Sequence, residues 1–75
     1  MSRVELLERK IEDMENKGYG CMFADFGREK MFPYEMFTEK MLERVTALYF
    51  VMMTDDIFKN GLNSLDGVSY IKVEF

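Results

Sequence analysis

The chain has 75 residues, 48% of them apolar and 15% aromatic, and ten basic against fourteen acidic residues leave a formal charge of -4. That much apolar material excludes a disordered chain, and the mild acidity argues against a main task of gripping a phosphate backbone, which needs a dense positive surface. Cys21 is the only cysteine and histidine is absent, so neither an internal disulfide nor a structural zinc site of about four Cys or His ligands can hold the fold together.

One domain spanning residues 1–75 is expected, and its core must be thin, because a chain of this size buries only about 60% of the surface its unfolded form exposes. The N-terminal stretch "MSRVELLERKIEDMENKG" is charged and amphipathic, without the apolar run of a secretory leader, so the cytosol is the expected compartment. Ser2 and Glu5 have the spacing of a capping box. Val4, Leu7, Ile11 and Met14 then recur at steps of three and four residues, which predicts a helix over Ser2–Lys17 with one apolar face, stopped by Gly18.

Cys21–Phe26 is short, aromatic and closed by Gly27, as a strand would be. Gly27 with Arg28, Glu29 and Lys30 reads as a turn, and Met31–Phe32 as the returning strand of a β-hairpin. Pro33 suits the first position of a following helix. From there Phe37, Met41, Val45, Leu48 and Met52 fall at helical spacing, which predicts a long central helix. Its second half, "VTALYFVMM" from Val45 to Met53, is apolar in every direction. A membrane span is excluded, since crossing needs roughly 20 apolar residues and charges close the run at Glu43–Arg44 and at Asp55–Asp56.

Thr54 followed by Asp55 and Asp56 has the chemistry of an N-cap, predicting a short helix over Asp55–Lys59 that stops at Asn60–Gly61. "NSLDG" is loop chemistry. The tail alternates, with Ile71, Val73 and Phe75 on one side and Tyr70, Lys72 and Glu74 on the other, as in a half-buried strand. The whole is therefore expected to be α+β: an N-terminal helix, a β-hairpin, a long central helix, a short helix, and a C-terminal strand that joins the hairpin in a small three-stranded antiparallel sheet.

Chemistry is sparse. Without histidine, acid–base work at neutral pH would fall to a perturbed carboxylate, lysine or tyrosine, and no spacing singles one out. Cys21 sits among apolar neighbours and reads as a small buried hydrophobe. Asp55 and Asp56 diverge by about 100° on a helix and read as capping residues. No catalytic residue, metal ligand or cofactor is assigned, and an enzyme is not expected.

The functional expectation rests on the central helix. So small a fold has little with which to cover it on all sides, so a protein partner, a second copy in a homodimer above all, is expected to complete the cover. The expected function is that of a small interaction protein, a regulator or inhibitor, with anchors at Tyr49, Phe50, Met53 and Phe58. On that reading Phe50→Asp abolishes association and leaves a folded monomer. The alternative is a nucleic-acid-associated regulator that contacts phosphate through Arg28 and Lys30 at the hairpin tip, although two cations neutralise little charge.

Overall fold

The computed structural model of the chain describes residues 1–27 and 31–75. Helix α1 (Arg3–Asn16) starts at Ser2, whose hydroxyl accepts the Glu5 N–H at 3.2 Å. Val4, Leu7, Ile11 and Met14 are its buried face, as their spacing predicts. Gly18 follows with φ +90°, a left-handed conformation that turns the chain from helix into strand.

The hairpin consists of β1 (Tyr19–Asp25) and β2 (Met31–Pro33), which pair antiparallel with Ala24 opposite Phe32. The expected tip at Arg28 and Lys30 lies outside the described residues. Pro33 closes β2 instead of opening a helix. A 3-10 turn at Tyr34–Met36 follows, then the single-turn helix α2 (Glu39–Leu42).

The expected long central helix is not formed. Most of "VTALYFVMM" is instead a strand, β3 (Ala47–Met52), at the centre of a four-stranded antiparallel sheet in the order β2-β1-β3-β4, where β4 is Ile71–Glu74. The sheet exceeds the expected three strands by this segment. A short run apolar in all directions is equally compatible with a buried helix and with a strand covered on both faces. Six residues rich in aromatic and β-branched side chains favour the strand.

Each face of β3 has its own cover. Leu48 and Phe50 pack beneath α1 against Leu7, Ile11 and Met14, with Phe37 and Leu42 closing the side. Ala47, Tyr49 and Val51 point the other way, against Phe23 and Leu65, and are roofed by Ile57 of α3 (Asp55–Asn60), Leu62 and Val68. Phe50 is 0% exposed and Tyr49 7%. Burial of each large apolar side chain contributes roughly 1.5–3 kcal/mol, so the segment stabilises the chain while sheltered by the chain's own helices and loop.

The short helix α3 forms where the capping chemistry predicts. The Thr54 hydroxyl accepts the Ile57 N–H at 3.2 Å, Asp55 and Asp56 occupy the first turn, and Gly61 ends it with φ +70°. Among the described residues, no helix is long and apolar enough to cross a membrane.

Candidate functional site

The site follows from a mismatch in strand length. β1 has seven residues, but β2 pairs only with Phe23, Ala24 and Asp25 before Pro33 ends the ladder and the 3-10 turn at Tyr34–Met36 packs beside the strand instead of extending it. Among the described residues, Tyr19–Met22 therefore has no strand neighbour on its outer side. The Met53 N–H donates to the Gly18 carbonyl at 3.0 Å, and Gly20 lies opposite Val51. Backbone direction alternates along a strand, so Gly18 and Gly20 turn their polar groups toward β3, while Tyr19 and Cys21 turn theirs outward.

Beside this open half-strand run two adjoining cavities that share Cys21, Met22 and Tyr34. One, of about 410 Å³, lies between Glu15 at the end of α1, Tyr19, Met53 and Phe58. The other, of about 230 Å³, continues past Pro33 and Glu35 to Asn60 and Leu62. Together they form a groove along a free strand edge. Its floor depends on Gly20, because a Cβ there would stand 2.5 Å from the Met53 sulfur, and only glycine lets that side chain lie across the strand. The register slip between Cys21 and Phe23 shapes the same spot, since it sends both Met22 and Phe23 to the α3 side while Cys21 packs toward α1.

Apart from the two carboxylates Glu15 and Glu35, the groove's lining residues carry no full charge at neutral pH. Burial, with Glu15 adding to it, pushes the Cys21 thiol up to about 12, so it stays protonated at neutral pH and is a poor nucleophile. Burial raises the Tyr34 phenol as well, helped by Cys21, Glu8 and Glu15, leaving a neutral hydroxyl at the groove wall. What this arrangement offers a ligand is outward backbone N–H and C=O groups, apolar and aromatic walls, and a negative rim.

Of the residues expected to anchor an interface, the structure brings Met53 and Phe58 together in this groove. Phe58 is 83% exposed, the most exposed of the large apolar side chains. Tyr49 and Phe50 are elsewhere, on opposite faces of β3 and inside the core. Once the segment is a central strand its side chains alternate into two covered layers, and neither residue can reach a partner while the fold is intact. Tyr49 is held further by its hydroxyl, 3.5 Å from the Asp25 carboxylate, and by the Tyr70 ring at 5.6 Å. Arg28 and Lys30 lie outside the described residues. Sequence reasoning missed Tyr19, Tyr34, Glu15 and Glu35, and the signal nearest to them was the glycine on either side of Tyr19.

A larger cavity of about 610 Å³ lies beside Phe26, Lys40, Met41, Glu43 and Arg44. It has two cations against one carboxylate and none of the free strand edge that marks the groove. No protein-family model matches the chain, nor does any curated protein or solved structure.

Proposed function

We propose that this protein is a non-catalytic interaction module, a regulator or inhibitor, that receives an extended segment of a partner protein along the open half of β1. The observation that carries this reading is the outward-facing backbone of Tyr19 and Cys21, bordered by the exposed Phe58 ring and by Met53. An added strand gains affinity from main-chain hydrogen bonds, and flanking pockets select its side chains. Aromatic walls suit this task because rings bury large area with few torsions to freeze. The carboxylates of Glu15 and Glu35 favour a segment that carries Lys or Arg next to its apolar anchor. The lack of histidine and the protonated thiol of Cys21 support a role without bond chemistry.

Selection of a random peptide library on the immobilised protein tests this. Enriched peptides should combine an apolar residue with a basic one, slow hydrogen exchange at the Tyr19 and Cys21 amides, and lose at least tenfold in affinity against the Phe58→Asp variant. Peptides that bind both proteins equally, or that leave those amides unprotected, would place recognition on another surface.

A further inference from the structure

β4 is the last strand of the sheet, bonded to β3 on one side only. Its phase is fixed from both directions. The Phe75 N–H donates to the Thr46 carbonyl at 2.9 Å, so Val73 and Ile71 also turn their backbone groups inward. Independently, the Met53 N–H bonded to Gly18 directs the odd-numbered residues of β3 toward β1, leaving Leu48 and Phe50 to bond their opposites Val73 and Ile71. Lys72 and Glu74 therefore turn their N–H and C=O groups to the outer edge, where no strand among the described residues pairs with them.

Side chains divide the same way. Ile71 and Val73 lie opposite Phe50 and Leu48 and share the α1 face, with Ile71 40% and Phe75 38% exposed. Lys72 and Glu74 stand on the other face, bridged to one another at 3.2 Å. Any strand added antiparallel to this edge must set outward-facing residues against outward-facing residues. For a second copy of β4 three registers meet that condition. Lys72 on Lys72 and Glu74 on Glu74 each oppose like charges directly, which is destabilising. The third sets Lys72 against Glu74 of the second copy and, by the same operation, Glu74 against its Lys72.

We propose that two copies of this chain pair through β4 in that third register, about a two-fold axis at Val73, making one continuous sheet. Each Lys72–Glu74 pairing exchanges two backbone hydrogen bonds. Across the axis Val73 meets Val73, and Ile71 meets Phe75, so the exposed apolar stripe is covered. A two-fold contact requires that residue i meets j while j meets i, and a strand reading basic, apolar, acidic satisfies this by itself. Among the described residues the opposite edge serves less well, since β2 is three residues long and ends in a proline. The contact is small, so association in the micromolar to millimolar range is expected.

Sedimentation equilibrium of the full chain over that range, with circular dichroism as a check on folding, tests the pairing. Both charged residues are exposed on an edge, so their variants should fold. Wild type should dimerise. Lys72→Glu alone and Glu74→Lys alone should each weaken the dimer at least tenfold. An equimolar mixture of the two, and the double exchange Lys72→Glu with Glu74→Lys, should restore it. Phe58→Asp should leave it unchanged, which separates this contact from the groove. A wild type that stays monomeric throughout would overturn the proposal and leave the edge to a foreign strand. So would a dimer that both single variants leave intact.

Discussion

The two outer strands of the sheet differ in how they end it. β2 has three residues and carries Pro33, which has no N–H to offer, so it gives an incoming strand little to pair with. β4 has four residues and no proline, and it turns the backbone of Lys72 and Glu74 outward. Proteins commonly blunt an edge with charge, and a lysine is the usual choice. On β4 the lysine is accompanied by a glutamate two residues on, so a strand of uniform charge meets one like charge there, whereas a second copy in the proposed register would meet none. One edge is closed by chain chemistry, and on the proposed pairing the other is selective. The difference shows that an edge strand is defined by which backbone groups face out, more than by how apolar its side chains are.

The largest effect is expected where both edges are anchored. Phe50 on β3 lies opposite Cys21 of β1 and Ile71 of β4, and it is fully buried. A carboxylate there has no counter-charge, and the cost of burying an unpaired charge exceeds the roughly 5 kcal/mol at the lower end of domain stability. Phe50→Asp should abolish cooperative urea unfolding and far-ultraviolet sheet signal. A folded monomer, the outcome that a helical Phe50 implied, would contradict the central strand itself.

The next test sharpens the edge assignment by moving the proline of β2 onto β4. Val73→Pro removes an N–H that bonds inward to Leu48, whereas Lys72→Pro removes one that faces solvent. The first variant should be less stable than the second by about 1–3 kcal/mol, the cost of a lost buried hydrogen bond, as read from urea midpoints. Equal losses, or the reverse order, would invert the phase of β4 and remove the basis for its self-pairing. Lys72→Pro should also give β4 the closed character of β2 and stop dimer formation.

Much of this architecture is legible in the residues because local chemistry decides it. Ser2 and Thr54 fix two helix starts through their own hydroxyls, Gly18 and Gly61 fix two ends, and the alternation from Tyr70 to Phe75 fixes β4. β3 is not legible, for a physical reason. Phe37, Met41, Val45, Leu48 and Met52 have helical spacing, yet in the fold they are divided among two connecting segments, α2 and the strand. A run that is covered on both sides carries no contrast between faces, so its period holds no information. With β3 taken as a helix, Tyr49 and Phe50 looked like surface anchors. Met53 and Phe58 remain candidates because they lie just beyond the covered stretch. The groove depends on β2 being shorter than β1, a property of pairing that no single segment expresses.

The open half of β1 is a third stretch of free edge, and its chemistry can be read by pH. A thiol held at a raised pKa binds its proton more tightly in the folded chain than in the unfolded one. That stabilisation is complete below the ordinary thiol value of 9.0 and is lost as pH climbs through about 12. Tyr34 and Tyr49, both raised, act in the same direction at higher pH. Between about pH 8 and about pH 10.5 the urea midpoint of wild type should therefore fall further than that of Cys21→Ala, with no such difference between about pH 6 and about pH 8. Parallel profiles would show the thiol to be solvated, and the packing of Cys21 toward α1 to be loose.

The smallest effect separates groove from core. Phe58 belongs to α3, which roofs one face of β3 through Ile57, but its own ring is turned into solvent. Replacing an exposed side chain away from packed contacts usually changes stability by no more than about 0.5 kcal/mol, so Phe58→Asp should unfold at the wild-type urea concentration. Aspartate in the last turn of α3 opposes the helix dipole slightly, and Phe58→Ser controls for that charge. If both variants lost more than about 1 kcal/mol, the ring would be a packed part of the domain. The groove would then be narrower than its walls imply, and β1 would be as well closed at this end as it is beside β2.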